Sequence, residues 1–160
     1  MPQLARVEEQ LTPEQALRGR RLTLPPVRTE DRLGLRRVGR VVYTPGILPY
    51  WGDDLRHVGA VDTEIPTRQA VRAAELCALN ALAMVRAELG TLDRVSNVLQ
   101  LVVMVRCTPE FANPGRVADG ASEALFEVFG PRGRHRRDVV VTRELPLGAP
   151  VQVAVIFRVE

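Results

Sequence analysis

The chain contains no lysine. All 22 of its basic residues are arginine, so catalysis through a lysine Schiff base is excluded. Only two cysteines occur, Cys77 and Cys107, 30 residues apart, and that spacing fits no metal motif. Cys77 falls in an apolar helical run and Cys107 closes a strand-like one, so both read as core packing rather than as nucleophiles. No stretch approaches the roughly 20 apolar residues of a membrane-spanning helix. The opening MPQLARVEEQL lacks the apolar centre of a signal peptide. The expectation is a cytoplasmic protein with no membrane partner.

What remains is ordinary globular material. Apolar residues make up 46% and charged residues 26% of the 160, the balance of one soluble domain large enough to bury a core without staples. The net charge of +3 is short of the footprint of a dedicated nucleic-acid binder. Basic residues do gather in GPRGRHRRDVVV, residues 130–141, where Arg132, Arg134, Arg136 and Arg137 follow one another closely. No aromatics interleave with them to stack bases, and no nuclease triad or metal cluster accompanies them. Nucleic acid is therefore not the expected partner.

The element signals run in a clear order. Thr12-Pro13-Glu14-Gln15 combines an N-cap, a proline at N1 and a capping-box glutamine. Residues 1–30 read as an N-terminal helical extension ended by Pro25-Pro26 and leading into a first strand, with a single domain over residues 31–160. RRVGRVVYT (36–44) reads as two strand halves around a turn at Gly39, stopped by Pro45-Gly46. Residues 46–65 form a loop holding Tyr50, Trp51, Asp53, Asp54 and His57, and loops of that length inside a domain are often functional. Thr67–Leu89 carries Val71, Ala74, Ala78, Ala81, Leu82, Val85 and Leu89 at helical spacing. Gly90 is placed to cap it. Val98–Val105 reads as a buried strand, 114–129 as a second helix, and 138–143 and 151–159 as the last two strands. The order β-β-α-β-α-β-β predicts an α+β domain with two helices packed on one face of a mixed sheet.

The stretch VRAAELCALNALAMVRAELGTLDRVSNVLQLVVMV, followed by TPEFANPGRVADGASEALFEVFG and LPLGAPVQVAVIF, resembles the RidA/YjgF family of reactive-intermediate imine and enamine deaminases. The resemblance spans roughly residues 32–160 in unbroken order. It rests on the Ala-rich helix, the LDRV turn, the VADGAS segment and the closing LPLGAPV together rather than on any one piece. It implies a chorismate-mutase-like fold assembled as a homotrimer, with clefts between subunits that bind small carboxylates. It also implies hydrolysis of enamines and imines to 2-keto acids and ammonia. No cofactor or metal is implied, because water attacks an already activated C=N carbon.

Carried onto this sequence, the arginine of the family's HAR motif falls on Arg137. A guanidinium stays charged and grips a carboxylate bidentately. The backbone N–H of Val139 would be a second donor to that carboxylate, and the family glycine matches Gly46. Other positions depart from the pattern. The family serine is Pro45 here, with neither hydroxyl nor N–H. The family tyrosine is Arg32, which reads either as a second anion-binding group or as a surface charge. The family asparagine before GAS is Asp119. The two glutamates of the last strand are Gln152 and Ala154, and a glutamine can position water but cannot take its proton near neutral pH. Asp138, which replaces a small residue, reads either as a new general base or, with Arg136, as an outer-face salt bridge. His135 reads as a structural hydrogen bonder. Tyr50, Trp51 and His57 either border the cleft or pack their own loop.

The sequence thus points to a homotrimer acting on a small carboxylate-bearing imine, enamine or keto acid. Arg137, Val139, Gly46, Pro45, Tyr50, Trp51 and Arg32 are the candidate substrate contacts, and Gln152 and Asp138 the candidate catalytic groups. The alternative is a non-catalytic metabolite-binding or protein-interaction module built on the same frame.

Overall fold

The computed structural model describes residues 10–160. Residues 1–9 of the expected extension lie outside them. A five-stranded sheet is ordered β1 (Arg36–Val38), β2 (Val41–Tyr43), β7 (Val151–Val159), β5 (Val95–Arg106), β6 (Arg136–Thr142). Every neighbouring pair is antiparallel except β5–β6. Beyond β2 the chain folds a two-stranded ribbon, β3 (Tyr50–Trp51) and β4 (Asp54–Leu55). The long helices α3 (Thr67–Leu89) and α4 (Pro114–Phe129) cover one face of the sheet.

Alternation sorts the two faces. In β7, Val151, Val153, Val155, Phe157 and Val159 are buried toward the helices. Gln152, Ala154 and Ile156 between them are only half-buried on the other face. In β5, Leu101, Val103 and Val105 keep the same period of two. Upstream the buried positions are Val95 and Val98, three apart, because register shifts fall between Val95 and Asn97 and between Val98 and Gln100. Each bulge inserts a residue and hides the alternation. The strand therefore begins at Val95, not at Val98 as expected. β6 likewise starts earlier than expected, at Arg136 rather than Asp138, and ends at Thr142 rather than Arg143.

α3 and α4 touch almost backbone to backbone. α3 buries Ala70, Ala73, Ala74, Ala78 and Ala81. At Gly120 of α4 an added Cβ would overlap the carbonyl oxygen of Val71, so only glycine permits this approach.

The N-terminal arm is tied to the same core. Thr12 and Gln15 form the expected capping box at the start of α1 (Pro13–Gly19). That helix stops at Gly19, well before Pro25-Pro26, and Arg21 takes a left-handed φ of 53°. Leu17 and Ala16 are buried. The Glu14 carboxylate accepts from the backbone N–H of Leu92 (3.0 Å) and from Arg86 Nη2 (2.7 Å), and Glu14 N–H donates to Asp93 Oδ1 (3.0 Å). The short helix α2 (Thr29–Gly34) occupies the segment expected to lead directly into a strand.

Substituting Gly120→Val is expected to cost about 2 kcal/mol or more through overpacking. Thermal denaturation checks this: Tm should fall by roughly 5 °C or more, whereas an unchanged Tm would contradict the close helix contact.

Candidate functional site

The chain leaves α4 through a 3-10 turn at Gly130–Gly133. An added Cβ at Gly133 would stand 2.7 Å from Leu125 O, so the turn hugs the helix it has just left. That closeness fixes His135. Its Nδ1 lies 2.6 Å from Gly133 O and its Nε2 lies 2.9 Å from Ser122 Oγ. A carbonyl only accepts, so Nδ1 carries the proton and Nε2 accepts from the serine hydroxyl. The ring stacks on Phe126 at 5.3 Å. Burial, first of all, pushes the His135 pKa below its ordinary value. The Gly133 bond opposes that shift, and the charge of Arg137 adds to it. His135 is thus a neutral brace between α4 and β6, which fits its sequence reading as a structural hydrogen bonder.

Two residues on, the Arg137 side chain turns to the helix face and reaches α4. Nη1 is 2.7 Å from Asp119 Oδ1 and 3.4 Å from Ser122 Oγ, and Nη2 is 3.4 Å from Gly115 O. Asp119, Ser122, Glu123, Phe126, His135 and Arg137 line one open groove. Val139 follows on the same face, partly buried against the core. β6 is an edge strand of the five-stranded sheet, so alternate backbone N–H groups face outward, without a ladder partner from the sheet.

A second group of candidates gathers elsewhere. After β2, Thr44 N–H donates to Val155 O, and Thr44 Oγ1 accepts from Val155 N–H at 2.9 Å. Ile47 then resumes pairing with Val153. Pro45 and Gly46 bulge out between these two points. The Gln152 side-chain amide fills the space that a Cβ on Gly46 would need. Pro45 packs against Gly34 at the end of α2, which also carries the exposed Arg32.

The two groups do not meet within one subunit. Gln152 pairs with Met104, which pairs with Val140 across β5. Arg137 therefore sits two strands away, about 10 Å, and three residues along, about 10 Å, and it points to the opposite face. Asp138 shares the face of Gln152. It accepts from Gln100 Nε2 at 3.0 Å, with Arg136 Nε at 3.8 Å.

The loop residues are placed differently from one another. Tyr50 is buried, with Arg28 stacked 3.5 Å over its ring, and its carbonyl accepts from Asn80 Nδ2 at 2.6 Å. Trp51 is half-buried, with Arg56 5.9 Å over its ring. His57 is half-buried, and burial pushes its pKa down, with the charges of Arg56 and Arg72 adding to the shift. Both cysteine thiols are buried and free, with pKa values pushed up by burial. Among the described residues no group of three or more His, Cys, Asp or Glu side chains could hold a metal ion, and no helix is long and apolar enough to cross a membrane.

Ser122, Glu123 and Phe126 are the groove-lining neighbours that the sequence reading missed. The signal was available in the spacing of Gly115, Asp119, Ser122 and Phe126, which puts all four on one side of α4. Asp119 and Ser122 on that side mark where the helix meets something other than core.

Residues 29–158 match the family model described as "YjgF/chorismate_mutase-like, putative endoribonuclease". The chain is 34% identical to a solved protein of unknown function from Agrobacterium tumefaciens, Atu1372, with a TM-score of 0.85 over 92% of both chains. It is 27% identical to a "putative endoribonuclease" of Shewanella oneidensis, with a TM-score of 0.87 over 93% of this chain and 100% of that one. TdcF of E. coli, solved with bound serine, shares the fold at 18% identity and a TM-score of 0.59, covering 85% of this chain and 94% of TdcF. Protein TCP17 of Trypanosoma cruzi is 40% identical over 96 residues, which are 59% of this chain and only 60% of TCP17. With the model matched across nearly the whole domain and the sheet and helices in the family's arrangement, the chain belongs to the YjgF/RidA family and has its chorismate-mutase-like fold.

Proposed function

We propose that the chain works as a homotrimer whose inter-subunit clefts bind a small carboxylate-bearing imine, enamine or keto acid. Arg137 anchors the carboxylate and Val139 N–H donates beside it. The observation that carries this reading is Arg137 itself. Its guanidinium is held at the head of an edge strand in an open groove, and Nε makes no hydrogen bond among the described residues. The serine bound in TdcF is a small carboxylate of the size such a groove accepts.

Assembly is supported by the separation of the two residue groups and by the uncovered sheet face. Gln152 and Gly46 lie too far from Arg137 to share one small ligand within a subunit, so a second copy must bring them together. Val102, Met104, Ala154 and Ile156 are only half-buried on the face away from the helices, and Tyr43 and Val140 are each 43% exposed there. A contiguous apolar face of this kind marks an interaction surface.

In imine hydrolysis the oxygen of water bonds to the C=N carbon, the C–N bond breaks, and nitrogen leaves as ammonia. Gln152 positions that water through its amide but does not take its proton. Asp138 can accept a proton, yet it is already held by Gln100 and Arg136. The replacement of a base by Gln152, with Pro45 offering neither hydroxyl nor N–H, favours the second reading: a binding module with little turnover. RNA cleavage is not part of either reading. Both nitrogens of His135, the histidine that lines the groove, are occupied.

Light scattering is expected to give three times the 17.7 kDa chain mass, and a stable monomer would sink the shared cleft. With 2-iminobutyrate generated in situ, ammonia and 2-ketobutyrate release above the uncatalysed rate should be slow in the natural sequence and absent in Arg137→Ala. Release should rise at least tenfold, the low end of what a positioned acid–base group contributes, in the double variant Gln152→Glu, Pro45→Ser. No release from either chain, with ligand binding retained, would select the binding module. Calorimetric affinity for 2-ketobutyrate that survives Arg137→Ala would remove Arg137 from the site.

A further inference from the structure

We propose that Asp119 recognises a positively charged nitrogen on the ligand, so that the groove selects zwitterions over simple keto acids: a carboxylate with a protonated amine or imine on the adjacent carbon. This inference rests on the reading that Arg137 holds a carboxylate, and it adds the partner for the neighbouring atom.

The geometry is a row of alternating charge. Asp119 Oδ1 lies 2.7 Å from Arg137 Nη1, while its Oδ2 lies 3.9 Å from Arg116 Nη1 one turn earlier on α4. Glu123, one turn later, is also 3.9 Å from Arg116 Nη1. Two carboxylates and two guanidiniums therefore face the groove and its rim, and burial favours the neutral form of His135. The groove has no net charge to offer a plain anion. It offers one guanidinium with a carboxylate in contact beside it.

A carboxylate has about four acceptor positions. One of those on Asp119 is taken by Arg137 at full hydrogen-bond distance, and Arg116 stands too far for more than a weak attraction. The side chain is 40% exposed toward the groove mouth. A ligand carboxylate that lands on the free side of Arg137 brings its α-substituent within a few ångströms of Asp119, since the two protein groups are themselves in contact. If that substituent is a ketone oxygen, two acceptors face each other, and Glu123 adds repulsion to the ligand's own negative charge. If it is an ammonium or iminium, it donates to Asp119, and the neutral zwitterion matches the neutral groove. Specificity is the difference between these two affinities, set by the repulsive contact as well as the attractive one. For an imine substrate the same contact holds the nitrogen protonated, the form whose carbon water attacks.

A plain structural ion pair would have the same distances but a different consequence. Asp119 and Arg137 are 40% and 32% exposed, and a pair so exposed contributes little to stability.

The test uses a matched pair of ligands, 2-aminobutyrate and 2-ketobutyrate, titrated calorimetrically into the full chain. The natural sequence should bind the amino acid at least about tenfold more tightly than the keto acid, the value of one charge-assisted hydrogen bond. Asp119→Asn should weaken the amino acid and tighten the keto acid, reversing the order. Asp119→Glu, which restores the charge, should recover the original preference. Equal changes for both ligands in Asp119→Asn would reduce Asp119 to a structural partner of Arg137 and overturn the proposal. A natural sequence that binds the keto acid and ignores the amino acid would overturn it too, while leaving the carboxylate grip of Arg137 intact. Failure of both ligands to bind any of the three chains would overturn the carboxylate reading beneath it.

Discussion

Parallel pairing of β5 with β6 is the constraint on which the rest of the site depends. Two parallel strands cannot be joined by a tight turn. The chain must cross back over the sheet, and here α4 makes that crossing. The crossing lays one side of α4 along the start of β6, so that Asp119 and Ser122 meet Arg137 while Ser122 and Phe126 meet His135. The close seat of α4 on α3 at Gly120 and the tight turn at Gly133 are the two backbone contacts that hold this arrangement. Neither residue touches the groove's opening, yet both set where Arg137 can reach.

An arginine presented this way has a neighbour that could equally well be called its inhibitor or its partner. An exposed pair exchanges protein contacts for ligand contacts at small cost, whereas a buried pair would not. The groove is therefore compatible with a ligand that keeps the Asp119 contact and equally with one that displaces it. The opposite face follows different logic. Its half-buried valine, methionine and isoleucine side chains carry no chemistry and leave an apolar face that the helices do not cover.

The long elements were legible because their periods are clean. The alanine stripe of α3 and the valines of β7 announce themselves, and the capping box at Thr12 marked its helix start to the residue. The beginning of β5 was not legible, since two bulges turn its spacing from two into three. α2 was missed because six residues, none of them buried and without a side-chain cap, carry no amphipathic signal. Within the site, family motifs led to Arg137, Gly46 and Gln152, but no spacing in the chain says that Arg137 and Gln152 lie on opposite faces. That fact comes only from the register across β5. Tyr50 read as a cleft candidate from its company in a polar loop, and the stacked Arg28 that covers its ring comes from a segment too far upstream for any local pattern to connect.

The bond from Leu92 N–H to the Glu14 carboxylate joins residues 78 positions apart. Its acceptor stands at the start of a seven-residue helix, too short to persist alone in water, and its donor exists in place only once α3 has ended and β5 has begun. Docking of the N-terminal arm therefore closes a long loop onto elements that must already be in place. In hydrogen-exchange terms the arm forms the outermost cooperative layer, able to detach and return while the sheet and the groove stay closed.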